Sequence, residues 1–228
     1  MCGRFALFAT PELVAEYFDL AEPPSAATLT PRYNVTPGRA VAAIRAAADG
    51  TRRLDGLRWG LVPYWAKDAS VGNRMINARV ETLAAKPAFR DALQRRRCLI
   101  PASGFYEWRG QSGRRRQPFF VRPHADPLLA FAGLWERWRG AGDPPLESCV
   151  IVTTEANADL ASIHERMPVM LARPDQQRWL QAPCTPEEIV ALAARGPQLA
   201  AWPVAAAVND PRNDDEGLIA PEPERELF

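Results

Sequence analysis

Lysine is nearly absent from this chain of 228 residues: of the 28 basic residues only Lys67 and Lys86 are lysine, and the rest are arginine. Histidine is confined to His124 and His164. Cysteine occurs four times, at Cys2, Cys98, Cys149 and Cys184, with no CxxC pairing, so neither a zinc site nor a disulfide framework is indicated. Cys98 and Cys149 lie in apolar, strand-like runs and read as core residues. No apolar run reaches the roughly 18–20 residues needed to span a membrane. Pro11, Glu12 and Glu16 interrupt the N-terminal region where a signal peptide would be apolar, so the cytoplasm is the expected location. Internal repeats are missing, and so is any composition break that would mark a linker. We therefore expect one domain over residues 1–215, followed by a mobile acidic tail at 216–228.

Hydrophobic residues make up 47% and charged residues 24%, both ordinary for a globular protein able to bury a substantial core. The formal net charge of +1 hides an asymmetry. Residues 90–116 hold eight arginines against Asp91 and Glu107, a balance of +6, and residues 209–228 hold seven acids against Arg212 and Arg225, a balance of −5. The arginine run is either a solvated face or a phosphate-binding surface, since arginine forks onto phosphate oxygens.

The pattern of short elements predicts an α+β fold with largely antiparallel sheet. Helices are expected at about 10–20, beginning with the cap Thr10 and Pro11, and at 87–95, 174–180 and 186–194. Strands are expected at 41–47, 57–61, 98–101, 104–109, 117–122, 128–138, 148–154 and 168–171, with 204–208 closing the sheet. Gly110-Gln111-Ser112-Gly113 reads as a hairpin turn, and residues 21–38 as an ordered loop.

The first five residues, Met1-Cys2-Gly3-Arg4-Phe5, carry the sharpest chemical signal. Loss of Met1 would leave Cys2 with an α-amine of reference pKa about 7.7–8.0 beside a thiol of about 8.5. Such a 1,2-aminothiol attacks an aldehyde through nitrogen to give an imine, and sulfur then closes on the same carbon to give a thiazolidine. Alternatively, Cys2 is an ordinary residue at a frayed end. In Phe105-Tyr106-Glu107-Trp108-Arg109, alternation puts Glu107 on one face with Phe105 and Arg109, and Tyr106 and Trp108 on the other. A carboxylate among aromatics suits proton transfer, although Glu107 could simply pair with an arginine such as Arg109. His164, between apolar and charged residues, is suited to acid–base work, whereas His124 sits in a polar turn. Asn77 could orient an amine or bind an oxyanion, or merely tie down a loop.

The ordered blocks MCGRF, RYNVTPG, WGLVPYW, INARVET, RRCLIPASGFYEW, RQPFF and IHERMPVML closely resemble the SRAP family, the SOS-response-associated peptidases. The resemblance spans about residues 2 to 210; Thr36 stands where alanine is common, and the acidic tail lies outside. It implies a single α+β domain, with antiparallel strands curled into a barrel-like core, and no metal or organic cofactor. It implies a DNA-damage protein that crosslinks to abasic sites in single-stranded DNA, with self-processing peptidase and lyase-type Schiff-base chemistry. Cys2 would be the nucleophile, Asn77 would position its amine or the sugar, and Glu107 and His164 would move protons. Arg4, Arg79 and Arg166 would hold phosphates. Asn34, Pro37, Trp59, Trp65 and Trp108 would complete the DNA-binding surface, the aromatics offering faces to bases. A monomer is expected, nucleoid-associated when on DNA, with replication-fork proteins as partners.

Three rivals remain. One is an N-terminal-nucleophile hydrolase, because class II glutamine amidotransferases also begin Met-Cys-Gly. Another is a thiol peptidase using Cys2, His164 and Asn77. The last is a non-catalytic single-strand binding module in which Cys2 is dispensable.

Overall fold

The computed structural model describes residues 2–110, 116–140 and 144–223. Twelve strands and four α-helices occur among them: β1 (Arg4–Leu7), α1 (Pro11–Phe18), β2 (Arg32–Val35), β3 (Ala40–Ala46), β4 (Arg52–Trp59), β5 (Asn77–Arg79), α2 (Pro87–Arg95), β6 (Arg97–Ala102), β7 (Gly104–Arg109), β8 (Gln117–Pro123), β9 (Leu129–Trp138), β10 (Leu146–Glu155), β11 (Arg166–Pro168), α3 (Gln176–Gln181), α4 (Pro186–Ala194) and β12 (Leu199–Pro203). The helices carry the punctuation the sequence advertises. Thr10 caps α1 by accepting from the Leu13 amide, and Thr185 and Glu188 close a reciprocal capping box on α4.

The larger sheet runs β11-β10-β4-β3-β6-β9, and β9 pairs back onto β10. Strands β10, β4, β3, β6 and β9 thus close a five-stranded barrel. Its junctions are antiparallel except β4–β10, which is parallel. Closure removes the exposed edges of these five strands. Interior space is filled tightly: a Cβ at Gly133 would lie 2.8 Å from the Cys98 sulfur, so only glycine fits between β6 and β10 there. Cys98 and Cys149 are wholly buried, as their apolar runs predict.

The second sheet has the antiparallel order β12-β8-β7-β1-β2. One face packs on the barrel through Phe5, Phe105, Phe119 and Val121. The ring of Phe5 lies 5.2 Å from that of Trp59 and 6.1 Å from that of Phe131. The other face, with Ala6, Tyr106 and Phe120, is covered by Val204, Val208 and Leu218. Phe105 and Tyr106 therefore face opposite sides, as alternation requires.

Several expectations are corrected. The closing strand is Leu199–Pro203, while 206–209 form a 3-10 turn: Val204 is the last residue bonded to β8, its amide donating to the Pro118 carbonyl at 3.0 Å, and it also bridges to Pro221. The loop 21–38 contains β2, a strand hidden by its mixed sequence Arg-Tyr-Asn-Val. The short strand expected at 168–171 is instead β11 at Arg166–Pro168. Residues 216–222 are not a loose tail. Leu218 is buried, Trp202 donates to the Ile219 carbonyl at 2.9 Å, and the Glu222 amide donates to the Pro203 carbonyl at 2.9 Å. The turn residues Gln111, Ser112 and Gly113 lie outside the described residues, though β7 and β8 do pair antiparallel across them.

Candidate active site

Strand β1 delivers Cys2 to the junction of the two sheets. Phe5 pairs with Phe105 on one side and Val35 on the other, so β1 is the interior strand of a β7-β1-β2 trio. Cys2, just ahead of it, has no exposed surface, and its thiol lies 4.0 Å from the Arg4 carbonyl oxygen. Burial, reinforced by the negative charge of Glu107, pushes this thiol well above its ordinary value. At neutral pH the sulfur is held as S–H. Glu107 itself is 2% exposed, on the face of β7 that looks toward the barrel.

Asn77 reaches the same point from the other sheet. It opens β5, which runs parallel to β10 with Asn77 opposite Ile151. Its side-chain amide donates to the Cys2 carbonyl at 2.8 Å. Its other side-chain atom, Oδ1, is buried and has no hydrogen-bond partner among the described residues. The preceding residue is fixed by Trp59, whose indole N–H donates to the Ile76 carbonyl at 2.9 Å. Trp59 has no exposed surface. The expectation that it stacks on a base is therefore corrected: its ring packs against Phe5 in a tilted contact, and its N–H positions the Asn77 strand.

His164 and Arg166 form a second group at the start of β11. The Arg166 amide donates to His164 Nδ1 at 2.9 Å, so Nδ1 is an acceptor and the neutral ring carries its proton on Nε2. The Arg166 guanidinium is largely committed inside the protein. It forks onto both oxygens of Glu81 at 2.6 and 3.0 Å and also donates to the Thr153 carbonyl at 2.9 Å. That donation holds the Glu81 carboxyl below its ordinary value. Arg79, in contrast, is exposed and has no ion pair among the described residues.

Three further expected DNA contacts belong to a structural staple. Arg4, half-buried, donates to Asn34 Oδ1 at 2.8 Å and to the carbonyls of Val208 at 2.6 Å and Asn209 at 3.3 Å. Burial lowers its pKa. Asn34 is buried and donates to the carbonyls of Val208, Asp210 and Asn213 at 3.3, 3.1 and 2.7 Å. Trp108 donates to Asn209 Oδ1 at 2.8 Å. Asn34 has no group to spare for DNA, which corrects its expected role, because its amide must satisfy three carbonyls of the C-terminal segment. Asp214 completes the staple by accepting from Arg32 and from the amides of Tyr33 and Asn34. Nothing in the sequence flagged Asp214, since an acid in an acid-rich segment reads as solvent-facing.

Outside the staple, Pro37 is half-buried at the turn before Gly38. Tyr64 and Trp65 are 57% and 51% exposed, on a loop held by the Trp138 indole donating to the Ala66 carbonyl at 2.7 Å. The arginine run is divided: Arg90, Arg95 and Arg116 are exposed, Arg96 and Arg109 are half-buried, and Arg97 turns inward. Arg97 is buried and donates to the carbonyls of Leu93, Trp179 and Leu180; Arg96 pairs with Glu136, Arg90 with Asp91, and Arg109 lies over the Phe119 ring. Arg114 and Arg115 lie outside the described residues.

The structure thus brings Cys2, Asn77 and Glu107 together, with His164 and Arg166 reached through β10, which pairs with both β5 and β11. The fold and site define a class: a closed mixed barrel with a second sheet packed on it, and a cysteine-led N-terminal strand at the seam between them. The chain belongs to the SOS response associated peptidase (SRAP) family, whose profile matches residues 1–211. It is 40% identical over 223 residues to the abasic site processing protein YoaM of Bacillus subtilis, covering 96% of this chain and 97% of that one. It is 33% identical over 231 residues to the abasic site processing protein YedK of Escherichia coli, covering 97% of this chain and all of the other. A crystal structure of a Bacteroides thetaiotaomicron protein, 22% identical, shares the fold with a TM-score of 0.81 over 97% of this chain and 100% of its own.

Proposed function

We propose that this protein processes abasic sites in single-stranded DNA by capturing the ring-opened sugar aldehyde on Cys2 after loss of Met1. The observation that carries this reading is the convergence on Cys2: one residue is gripped through its carbonyl by Asn77 and faced by the Glu107 carboxylate. Its family membership and its resemblance to proteins named for abasic-site processing support the substrate class.

The α-amine of Cys2 adds first to the aldehyde carbon. The resulting hemiaminal loses water to give the imine. Sulfur then adds to the imine carbon, its proton moves to nitrogen, and a thiazolidine closes. One water leaves overall, and no oxidant or reductant is needed. In this reading Glu107, whose negative charge acts on Cys2, carries protons between these atoms, and His164 Nε2–H is a further donor. Asn77 orients the amine, and its unpartnered Oδ1 is an acceptor for an amine N–H. Trp65 offers a face to a base and Arg79 a charge to a phosphate.

Wild type and the variants Cys2→Ala and Glu107→Gln, mixed with a single-stranded oligonucleotide carrying one abasic site and run on a denaturing gel, test this reading. Wild type should give a shifted band. Cys2→Ala should give none while keeping much of its DNA affinity, and Glu107→Gln should give the band slowly. Loss of binding together with crosslinking in Cys2→Ala would instead mark Cys2 as structural.

A further inference from the structure

Beside Asn77 lies an open cleft of about 490 Å³ whose lining includes Arg74, Met75, Asn77, Arg79, Lys86 and Phe89. It combines two chemistries. Arg74, Arg79 and Lys86 are exposed, and none has an ion pair among the described residues. No carboxylate is among the described residues that line it. Between the charges lie apolar side chains, Met75 and Phe89 among them. Lys86 is one of only two lysines in the chain, and its placement here is not part of any arginine run.

The walls are built rather than loose. Arg74 ends a 3-10 turn, Ala69–Arg74, that starts at the cap Asp68 and is clamped to the barrel. The clamp is a backbone approach. Gly60, at φ +131, and Gly72 pack so closely that a Cβ on either would meet the other's carbonyl oxygen at 2.7 or 2.5 Å. The opposite wall is the start of α2, where Lys86 precedes Pro87 at the first helical position. The positive helix end adds to the field of the side chains.

On the far side of Arg79 is a second cleft, of about 520 Å³, lined by Arg79, Arg166, Glu155 and Glu165 among others. There two carboxylates balance two arginines, and Arg166 is already answered by Glu81. The two sides of Arg79 therefore differ sharply in charge. A polyanion lowered onto Cys2 gains on the Arg74–Lys86 side and meets carboxylates on the other.

We propose that the cleft between Arg74 and Lys86 is a nucleotide subsite that grips the strand on one side only of the captured residue. The cations take phosphates, and the apolar floor takes the face or edge of an intact base. This assignment rests on the abasic-site reading and deepens it, giving the site a strand polarity. Specificity for position follows from one-sided charge rather than from base-edge hydrogen bonds.

The test uses single-stranded oligonucleotides carrying the stable tetrahydrofuran analogue of an abasic site, which has no aldehyde and so reports binding alone. One set carries intact nucleotides only 5′ of the analogue, the other only 3′. Arg74→Ala/Lys86→Ala is compared with wild type and with Arg53→Ala/Arg195→Ala, which removes the same charge elsewhere. The double variant should lose about tenfold in affinity for one set and less than twofold for the other. Its log–log salt slope on the favoured set should shrink by roughly 1.4, about 0.7 for each single-strand phosphate that the protein no longer neutralises. Equal losses on both sets, or equal losses in the control variant, would overturn the assignment. Crosslinking of an aldehyde-bearing oligonucleotide by wild type, run in parallel, separates the two ideas. If wild type crosslinks and the double variant shows no sidedness, only the cleft assignment falls. If wild type neither binds nor crosslinks, the abasic-site reading falls and takes the cleft with it.

Discussion

Asn77→Ala is the most informative single change. In the structure the Asn77 amide makes a 2.8 Å bond to the Cys2 carbonyl and holds Cys2 from the opposite sheet. A net hydrogen bond of this kind contributes about 0.5–1.5 kcal/mol, and each 1.36 kcal/mol is tenfold in rate. If Asn77 only orients Cys2, alanine should slow adduct formation by about 2- to 13-fold. The assay is a single-turnover time course with protein in excess over an abasic oligonucleotide, so that binding does not limit the rate. Thermal unfolding of the same variant guards against a global effect, since about 1 kcal/mol moves a domain of this size by roughly 2–4 °C. A rate within twofold of wild type would refute the positioning argument. A loss beyond about 100-fold, at an unchanged unfolding temperature, would show that the amide acts on the reacting atoms and not on orientation alone.

Four other outcomes follow from the same geometry. Trp59→Phe should destabilise the protein by roughly 0.5–1.5 kcal/mol, because the Ile76 carbonyl loses the indole donor and keeps only the Ile151 amide, and should slow crosslinking without changing DNA affinity. Trp65→Ala should do the reverse, with stability nearly unchanged and affinity weakened by about 1–3 kcal/mol for one lost stack. Stability should fall as pH rises above about 9. The buried thiols of Cys2, Cys98 and Cys149 all have raised folded-state values, Cys98 being pushed up to about 12 by burial. A raised value means that the folded state keeps the proton after the unfolded state has lost it. The stabilising contribution is therefore complete below the unfolded value and is lost toward the folded one, by about 1.4 kcal/mol per pH unit per thiol. Urea titrations at pH 8, 9 and 10 read this, and Cys98→Ala should reduce the slope by one thiol's share. Asp214→Ala should cost roughly 2–4 kcal/mol by stranding the amides of Tyr33 and Asn34. Limited proteolysis should then cut within residues 206–222, and an unchanged digestion pattern would remove Asp214 from the staple.

The elements with strong periodicity and flanking signals were legible in the sequence: α2 at 87–95, α4 at 186–194 and β7 at 104–109 match the structure residue for residue. So was the opposite facing of Phe105 and Tyr106. What stayed hidden was set by long-range pairing. The strand β2 is held by β1 and by Asp214, 182 residues from Arg32, and no local pattern encodes that. Trp59 ends β4 and Trp65 follows six positions later in the next loop, yet one is sealed in the core and the other stands in solvent. The sequence offered both to DNA because composition does not report depth. Asn34 and Arg4 carry side chains suited to phosphate, but the unpaired carbonyls of residues 208–213 have the prior claim. Within the arginine run Arg97 departs from a surface reading for a related reason: it caps the end of α3 from inside, satisfying carbonyls that no water reaches, while Arg90, Arg95 and Arg116 stay exposed. The cations that matter for the cleft, Arg74 and Lys86, stand apart from it.

The most direct test is an intact mass of the protein after mixing with a single-stranded oligonucleotide that carries one abasic site. The account predicts the mass of the chain without Met1, plus the DNA, minus one water, in an adduct that survives heating without a reducing agent. A protein lacking Met1 that forms no adduct, or an adduct-free protein that retains Met1, would contradict it.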